Sequence, residues 1–269
     1  MLTVRLAVAS TPLTATLDEA VPAAIAAVEE AGRLGAQIVC LPETGLPGHR
    51  LQSRSVPDLD QGELDRAVDA VAAAAARARV VTIVGVERPT PAGREIVSVV
   101  LDADGTQIGE QAKTQIAPIE EPHYVAGSGR RTFTAAGVTF AIAICHEAYR
   151  YPETVRVAAR EGAQVVFVPH FVTTEDGSLP DRWCDPSSPN EEKALLSRAL
   201  ENTVYVAQAN VAGTDQGSAT CIIAPDGSLI AQVPYGRVGV ATADVDLSLA
   251  NGLLARRWAP ERNRLADRV

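Results

Sequence analysis

The sequence predicts an α/β protein built from two packed β-sheets with helices on their outer faces. Three features lead there. About a dozen β-rich runs stand against only a few helical ones, too much sheet for a simple doubly wound fold. Two runs, Ile142-Ala-Ile and Val165-Val-Phe-Val, are wholly apolar. Such strands need cover on both faces, which a sheet receives when it lies between a second sheet and a helical layer. The 269 residues show no shift in composition and no internal repeat, so one domain over 1–269 is expected.

The elements follow in order. Residues 4–9 form the first strand. Residues 18–34 read as a helix, with Val21, Ile25 and Val28 at helical spacing and Gly35 as its stop. Residues 36–41 form a second strand, ended by Pro42, then come an alanine-rich helix over 63–79 and a strand over 80–86. Strands over 96–101 and 106–112 flank the turn Asp104-Gly105, and strands over 132–134 and 138–144 flank Ala136-Gly137. A helix over 152–161, a strand over 165–168, a helix over 189–202 and a strand over 204–208 come next. Strands over 219–224 and 229–233 flank Pro225-Asp-Gly-Ser, and 238–245 is the last strand. The arginine-rich tail over 253–269, with Pro260, finds no obvious core to join and is expected at a subunit interface.

Charge and cysteine usage exclude several classes. With 24 basic and 33 acidic residues the net charge is −9, which argues against nucleic acid or an anionic membrane as partner. No stretch approaches the roughly 18 uncharged apolar residues of a spanning helix. The first apolar run carries Arg5 and reads as a strand, not a signal peptide. Cys40, Cys145, Cys184 and Cys221 are far apart and form no Cys-x-x-Cys pair, so neither a disulfide framework nor a zinc site is expected. These readings point to a cytoplasmic, reduced protein.

Three polar residues end β-rich runs, where ligands bind in sheet proteins. Glu43 follows Ile38-Val-Cys-Leu-Pro42, Lys113 follows Gln107-Ile-Gly-Glu-Gln-Ala112, and Cys145 follows Phe140-Ala-Ile-Ala-Ile144. Lys113 stands out because the chain has only two lysines, the other being Lys193, and uses arginine everywhere else. A compact ammonium differs from a planar guanidinium, so its retention suggests a need for that shape. A thiol with an ordinary pKa near 8.5 is mostly protonated at neutral pH, and Cys145 as a nucleophile needs a carboxylate to take its proton and a cation to hold the charge. Cys40 and Cys221 lie within apolar runs and read as buried small hydrophobes.

Leu41-Pro-Glu43, Lys113-Thr-Gln-Ile and Cys145-His-Glu-Ala-Tyr-Arg-Tyr-Pro-Glu153 together resemble the motifs of the nitrilase superfamily of carbon–nitrogen hydrolases. Val165-Val-Phe-Val-Pro169, Arg198-Ala-Leu-Glu-Asn202, Asn210, Gly217-Ser218 and Pro225-Asp-Gly227 support the resemblance, in the same order along the chain. It implies a four-layer αββα sandwich that pairs into a homodimer or higher homo-oligomer. It implies a Glu–Lys–Cys triad at Glu43, Lys113 and Cys145. It also implies a second glutamate after the lysine, assigned to Glu120 over its neighbour Glu121 because Tyr124 and Gly127 follow at the family's spacing. The backbone N–H of His146 is the implied oxyanion donor.

Glu147 and His170 are candidates for the substrate pocket, whereas His49 and His123 are read as non-ligands. No His/Asp/Glu cluster has metal spacing in the sequence, and neither cofactor nor metal is required, since the thiol supplies the nucleophile and the lysine the charge. The expected partner is a small-molecule amide or nitrile. Amide hydrolysis through a thioester, with ω-amide and carbamoyl substrates included, is the main reading. Nitrile hydrolysis, acyl transfer and a non-catalytic dimeric scaffold stand as alternatives. The loops over 46–57 and 171–189 are expected to select the acyl group.

Overall fold

The computed structural model describes residues 3–51, 55–187 and 190–263. Residues 52–54 and 188–189 of the two expected pocket loops, and 264–269 of the tail, lie outside the described residues. Twelve strands are found among those described. They are β1 (Thr3–Ser10), β2 (Ile38–Cys40), β3 (Val81–Thr90), β4 (Gly93–Leu101), β5 (Gln107–Ala112), β6 (Thr132–Ala135), β7 (Val138–Ile142), β8 (Val165–Pro169), β9 (Tyr205–Ala209), β10 (Thr220–Ile223), β11 (Leu229–Val233) and β12 (Gly239–Asp246). They make two six-stranded sheets, ordered β12-β1-β2-β3-β4-β5 and β11-β10-β9-β8-β7-β6. Both mix parallel and antiparallel pairs: β1, β2 and β3 run parallel, as do β7, β8 and β9, and the other neighbours are antiparallel.

Strand alternation explains why the sheets stack. In β1, Val4, Leu6 and Val8 face the second sheet, while Ala7 and Ala9 face the outer helices. Those helices are α1 (Leu17–Arg33) and α2 (Gln61–Ala78), which pack on each other and on the first sheet. α2 starts earlier than the apolar pattern suggests. Asp60 accepts from the Glu63 N–H at 2.8 Å and Glu63 accepts from the Asp60 N–H at 2.9 Å, a reciprocal cap that fixes the first turn. The second sheet is covered by α3 (His146–Arg150), α4 (Pro152–Arg160), α5 (Glu191–Asn202) and α6 (Leu253–Arg257). The expected sandwich of two sheets between helical layers is therefore the observed fold.

Two expectations need correction. The run over 138–144 is not one strand: β7 ends at Ile142, and the chain turns into α3 at Cys145. The start of the tail does join the core. Ala255 in α6 is fully buried, Arg160 donates to the Trp258 carbonyl at 2.8 Å, and Arg156 and Arg160 lie 5.3 and 5.8 Å from the centre of the Trp258 ring. The sequence reading missed this because the ring's partners sit about a hundred residues upstream. No helix among the described residues is long and apolar enough to cross a membrane.

Candidate active site

Glu43 is carried past the end of β2 on a loop that lies directly against β3. The approach depends on Gly85: a Cβ there would stand 2.4 Å from the Pro42 carbonyl oxygen and 2.5 Å from the Thr44 nitrogen, inside any tolerable contact. The loop is then pinned by Leu46 N–H donating to the Gly85 carbonyl and Glu87 N–H donating to the Leu46 carbonyl. Lys113 directly follows β5. Its N–H donates to the Ile96 carbonyl and its own carbonyl accepts from Gly127 N–H, both at 2.8 Å. Cys145 sits between β7 and α3 with φ 53° and ψ −118°. A left-handed φ is uncommon outside glycine, and strained backbone of this kind gathers at functional sites. The Cys145 N–H is anchored on the Pro169 carbonyl at 3.0 Å.

These supports bring the charges together. Lys113 Nζ lies 2.8 Å from Glu43 Oε1 and 2.7 Å from both oxygens of Glu120. All three side chains are buried. Of the two adjacent acids, Glu120 reaches the lysine and Glu121 is exposed. Glu120 Oε2 also accepts from Ala117 N–H at 2.8 Å, and Glu43 Oε2 accepts from Phe171 N–H at 3.0 Å. Burial works against the Lys113 ammonium, but Glu43, Cys145 and Glu120 outweigh it and hold its pKa above the ordinary value. Burial likewise disfavours the Glu120 carboxylate, yet His49 and Lys113 hold it down to about 2. Arginine would not fit here, because the planar fork is larger than the gap between two carboxylates that converge on one atom.

His49, which the sequence gives no reason to place at the site, joins this cluster. Its Nε2 lies 3.2 Å from Glu120 Oε1 and 4.0 Å from Glu43 Oε2. Leu51 N–H donates to Nδ1 at 3.3 Å, so Nδ1 is the acceptor and Nε2 carries the hydrogen that Glu120 receives. The ring stacks on Phe171 at 4.5 Å. Glu43, His49 and Glu120 thus form a cluster in space that no sequence spacing showed, with ligand atoms within 4.8 Å of one another. The set could bind a cation. The Lys113 ammonium already stands at hydrogen-bond distance from both carboxylates, so the cation these acids hold is a side chain.

Cys145 Sγ lies 3.4 Å from the Tyr149 hydroxyl and 3.8 Å from the Phe171 carbonyl oxygen. Burial pushes its pKa well up and Glu43 adds to that, with Lys113 opposing. The resting group is therefore a thiol, whose proton must leave as Sγ attacks. No acceptor among the described residues takes the His146 N–H, which opens α3 next to that sulfur. The His146 ring is turned to Tyr149 and Tyr151.

Glu147 and His170 are not brought into the cluster. Glu147 Oε1 accepts from Ile144 N–H, and Oε2 from Thr114 N–H and its hydroxyl, at 2.8–3.0 Å; Arg130 pairs with the same carboxylate. With both oxygens taken by protein donors, Glu147 ties the segment after Lys113 to the Cys145 turn and does not present a free carboxylate to a pocket. His170 follows β8, fully buried, and neither ring nitrogen finds a hydrogen-bond partner of good geometry among the described residues. Burial pushes its pKa down to about 3.

The model of the carbon–nitrogen hydrolase family matches residues 5–253. The 2-oxoglutaramate amidase of Bacillus subtilis (strain 168) is 29% identical over 157 residues, which cover 55% of this chain and 54% of that protein. The N-carbamoylputrescine amidase of Solanum lycopersicum is 27% identical over 187 residues, covering 62% and 60%. The chain thus spans little more than half the length of these curated relatives. A crystal structure of an amidase from Nesterenkonia sp. has the same fold, with a TM-score of 0.77 at 21% identity over 96% of this chain and 94% of that one.

Proposed function

The chain belongs to the carbon–nitrogen hydrolase family, and from that premise we propose that it is an amidase working through a thioester on Cys145. The observation that carries this reading is the Lys113 ammonium held at 2.7–2.8 Å between two buried carboxylates, beside the strained turn that carries the thiol. The two curated relatives named above are amidases, which supports an amide over a nitrile as substrate.

Cys145 Sγ attacks the amide carbon while its proton passes to Glu43. The carbonyl π electrons move to oxygen, and the resulting oxyanion meets Lys113 Nζ and the His146 N–H. Collapse of the tetrahedral adduct breaks the C–N bond, and Glu43 returns the proton to the leaving amine. Water then adds to the thioester, with Glu43 taking its proton and passing it to the departing sulfur. Glu120, steadied by His49 and Ala117 N–H, keeps Lys113 in place throughout.

The experiment compares alkylation of Cys145 with turnover. Glu43→Gln keeps the shape but cannot accept a proton, so alkylation by a haloacetamide slows and turnover falls by about 10²–10⁴-fold. Glu120→Gln leaves the thiol alkylatable, while turnover drops by about 10²-fold because Lys113 loses its seat. Wild-type alkylation in E43Q together with blocked alkylation in E120Q would reverse the two roles. We assign self-association to the face of α4–α6, where Val157, Leu200, Leu253, Leu254 and Trp258 are exposed together. Light scattering on the purified protein should give at least twice the chain's 28.2 kDa, and a single species at 28.2 kDa would refute the pairing.

A further inference from the structure

A cavity of about 820 Å³ has in its wall Arg150, at the end of the helix that Cys145 precedes, and Val172, next to Phe171, whose carbonyl oxygen lies 3.8 Å from Cys145 Sγ. Tyr149 links the two places. Its hydroxyl lies 3.4 Å from Cys145 Sγ, and the charges of both Cys145 and Glu191 act on it. Five carboxylates line the cavity, those of Glu175, Asp176, Asp181, Asp185 and Glu191, against the single guanidinium of Arg150. Asp176 and Asp185 are engaged locally, each accepting from a serine two residues on.

Glu191 differs from the others. It is 7% exposed, it lines the cavity, and its Oε2 has no hydrogen-bond partner among the described residues. The neighbouring Glu192 shows what a settled carboxylate looks like in this fold. It accepts from Cys184 N–H at 2.6 Å, from Ala219 N–H at 2.8 Å and from the Tyr235 hydroxyl at 2.6 Å. A buried carboxylate oxygen left without a donor is costly, and a donor from a bound molecule would remove that cost. Burial raises the pKa of Glu191, and the charges of Arg150 and Lys193 do not offset that, so a cation brought closer would stabilise the carboxylate further.

We propose that this cavity receives the far end of the substrate, and that this end carries an ammonium group paired with Glu191. The substrate class is then an amide or carbamoyl compound with a cationic amine distal to the bond that is cut. A carboxylate at that end would find one guanidinium in the wall against five carboxylates, of which Asp185 alone is paired among the described residues, with Arg182 at 2.8 Å. The assignment rests on the hydrolase reading above for its chemistry, and on the cavity alone for its charge preference.

The test uses three straight-chain amides of matched length, ending in ammonium, methyl or carboxylate. In the wild type, kcat/KM for the ammonium-ended amide should exceed that for the methyl-ended one by about 10–100-fold, with the carboxylate-ended amide lowest. Glu191→Gln should lower the ammonium-to-methyl ratio by a similar factor. Equal turnover of the three, preference for the carboxylate, or a ratio unchanged in E191Q would overturn the proposal. If none of the three is cut, the hydrolase reading fails, and the cavity is then judged by protection. Butylammonium shielding Cys145 from iodoacetamide better than butanol does, in the wild type and not in E191Q, would uphold it. Equal shielding would overturn it.

Discussion

Two buried histidines flank Phe171 and live in opposite surroundings. His49 is stacked on that ring, gives its Nε2–H to Glu120 and takes Leu51 N–H on Nδ1. His170 precedes Phe171 in the chain, is buried at least as deeply, and has neither ring nitrogen in a well-formed hydrogen bond among the described residues. Residue type and depth are the same, so neither decides what a histidine does here. The difference lies in the company. His49 belongs to a cluster of two carboxylates and an ammonium, whereas His170 sits where burial, opposed by the Ala219 backbone and by no charged side chain, sets its protonation. At the cluster the cost of burying charge is offset because opposite charges and donors converge there, and nothing comparable surrounds His170.

The largest loss is expected if the charged cluster loses its mount. Glu43 is where it is because Gly85 has no side chain. Gly85→Ala drives a methyl group into the Pro42 carbonyl and the Thr44 nitrogen and moves Glu43 away from Lys113. A displacement of about 1 Å at such a group costs on the order of 10²-fold in turnover. Gly45→Ala is the control, since a Cβ there meets nothing closer than 3.5 Å. Parallel kinetics and thermal melts on both variants check this. A fully active G85A would show that the position of Glu43 does not depend on this close approach.

Glu43, Lys113 and Cys145 could be found in the sequence because each ends a β-rich run and stands out chemically from it. The two-sheet architecture was legible because apolar runs and turn dipeptides are local signals. Gly85, His49 and Glu191 were not. Each takes its meaning from residues far along the chain: Pro42 against Gly85, Glu120 against His49, and the segment after Phe171 against Glu191. The packing of the tail's first residues on the core was not legible for the same reason, because the partners of Trp258 are Arg156 and Arg160. His170 drew attention as a polar residue at a strand end, a signal that does not separate a site from a packed interior.

The smallest effect concerns stability and not turnover. His170 has its pKa pushed down by burial to about 3, from an ordinary value near 6.5. It is a base with a depressed folded-state pKa. Below about pH 6.5 the unfolded chain binds a proton at this residue, and the folded chain does not until about pH 3. The unfolded state therefore holds more protons across that window, and stability falls as pH falls through it, by roughly 1.4 kcal/mol per pH step at most. Glu120 acts in a lower window, losing its contribution as pH drops from about 4.5 toward 2. The two are separable between pH 6 and 5. His170→Met removes the titration at nearly constant volume, so packing is disturbed little. Denaturant unfolding at pH 7, 6 and 5 should give a shallower decline for H170M than for the wild type, whatever the offset at pH 7. An equal decline in both would mean that His170 is protonated in the folded protein, and that it has found a partner as His49 has.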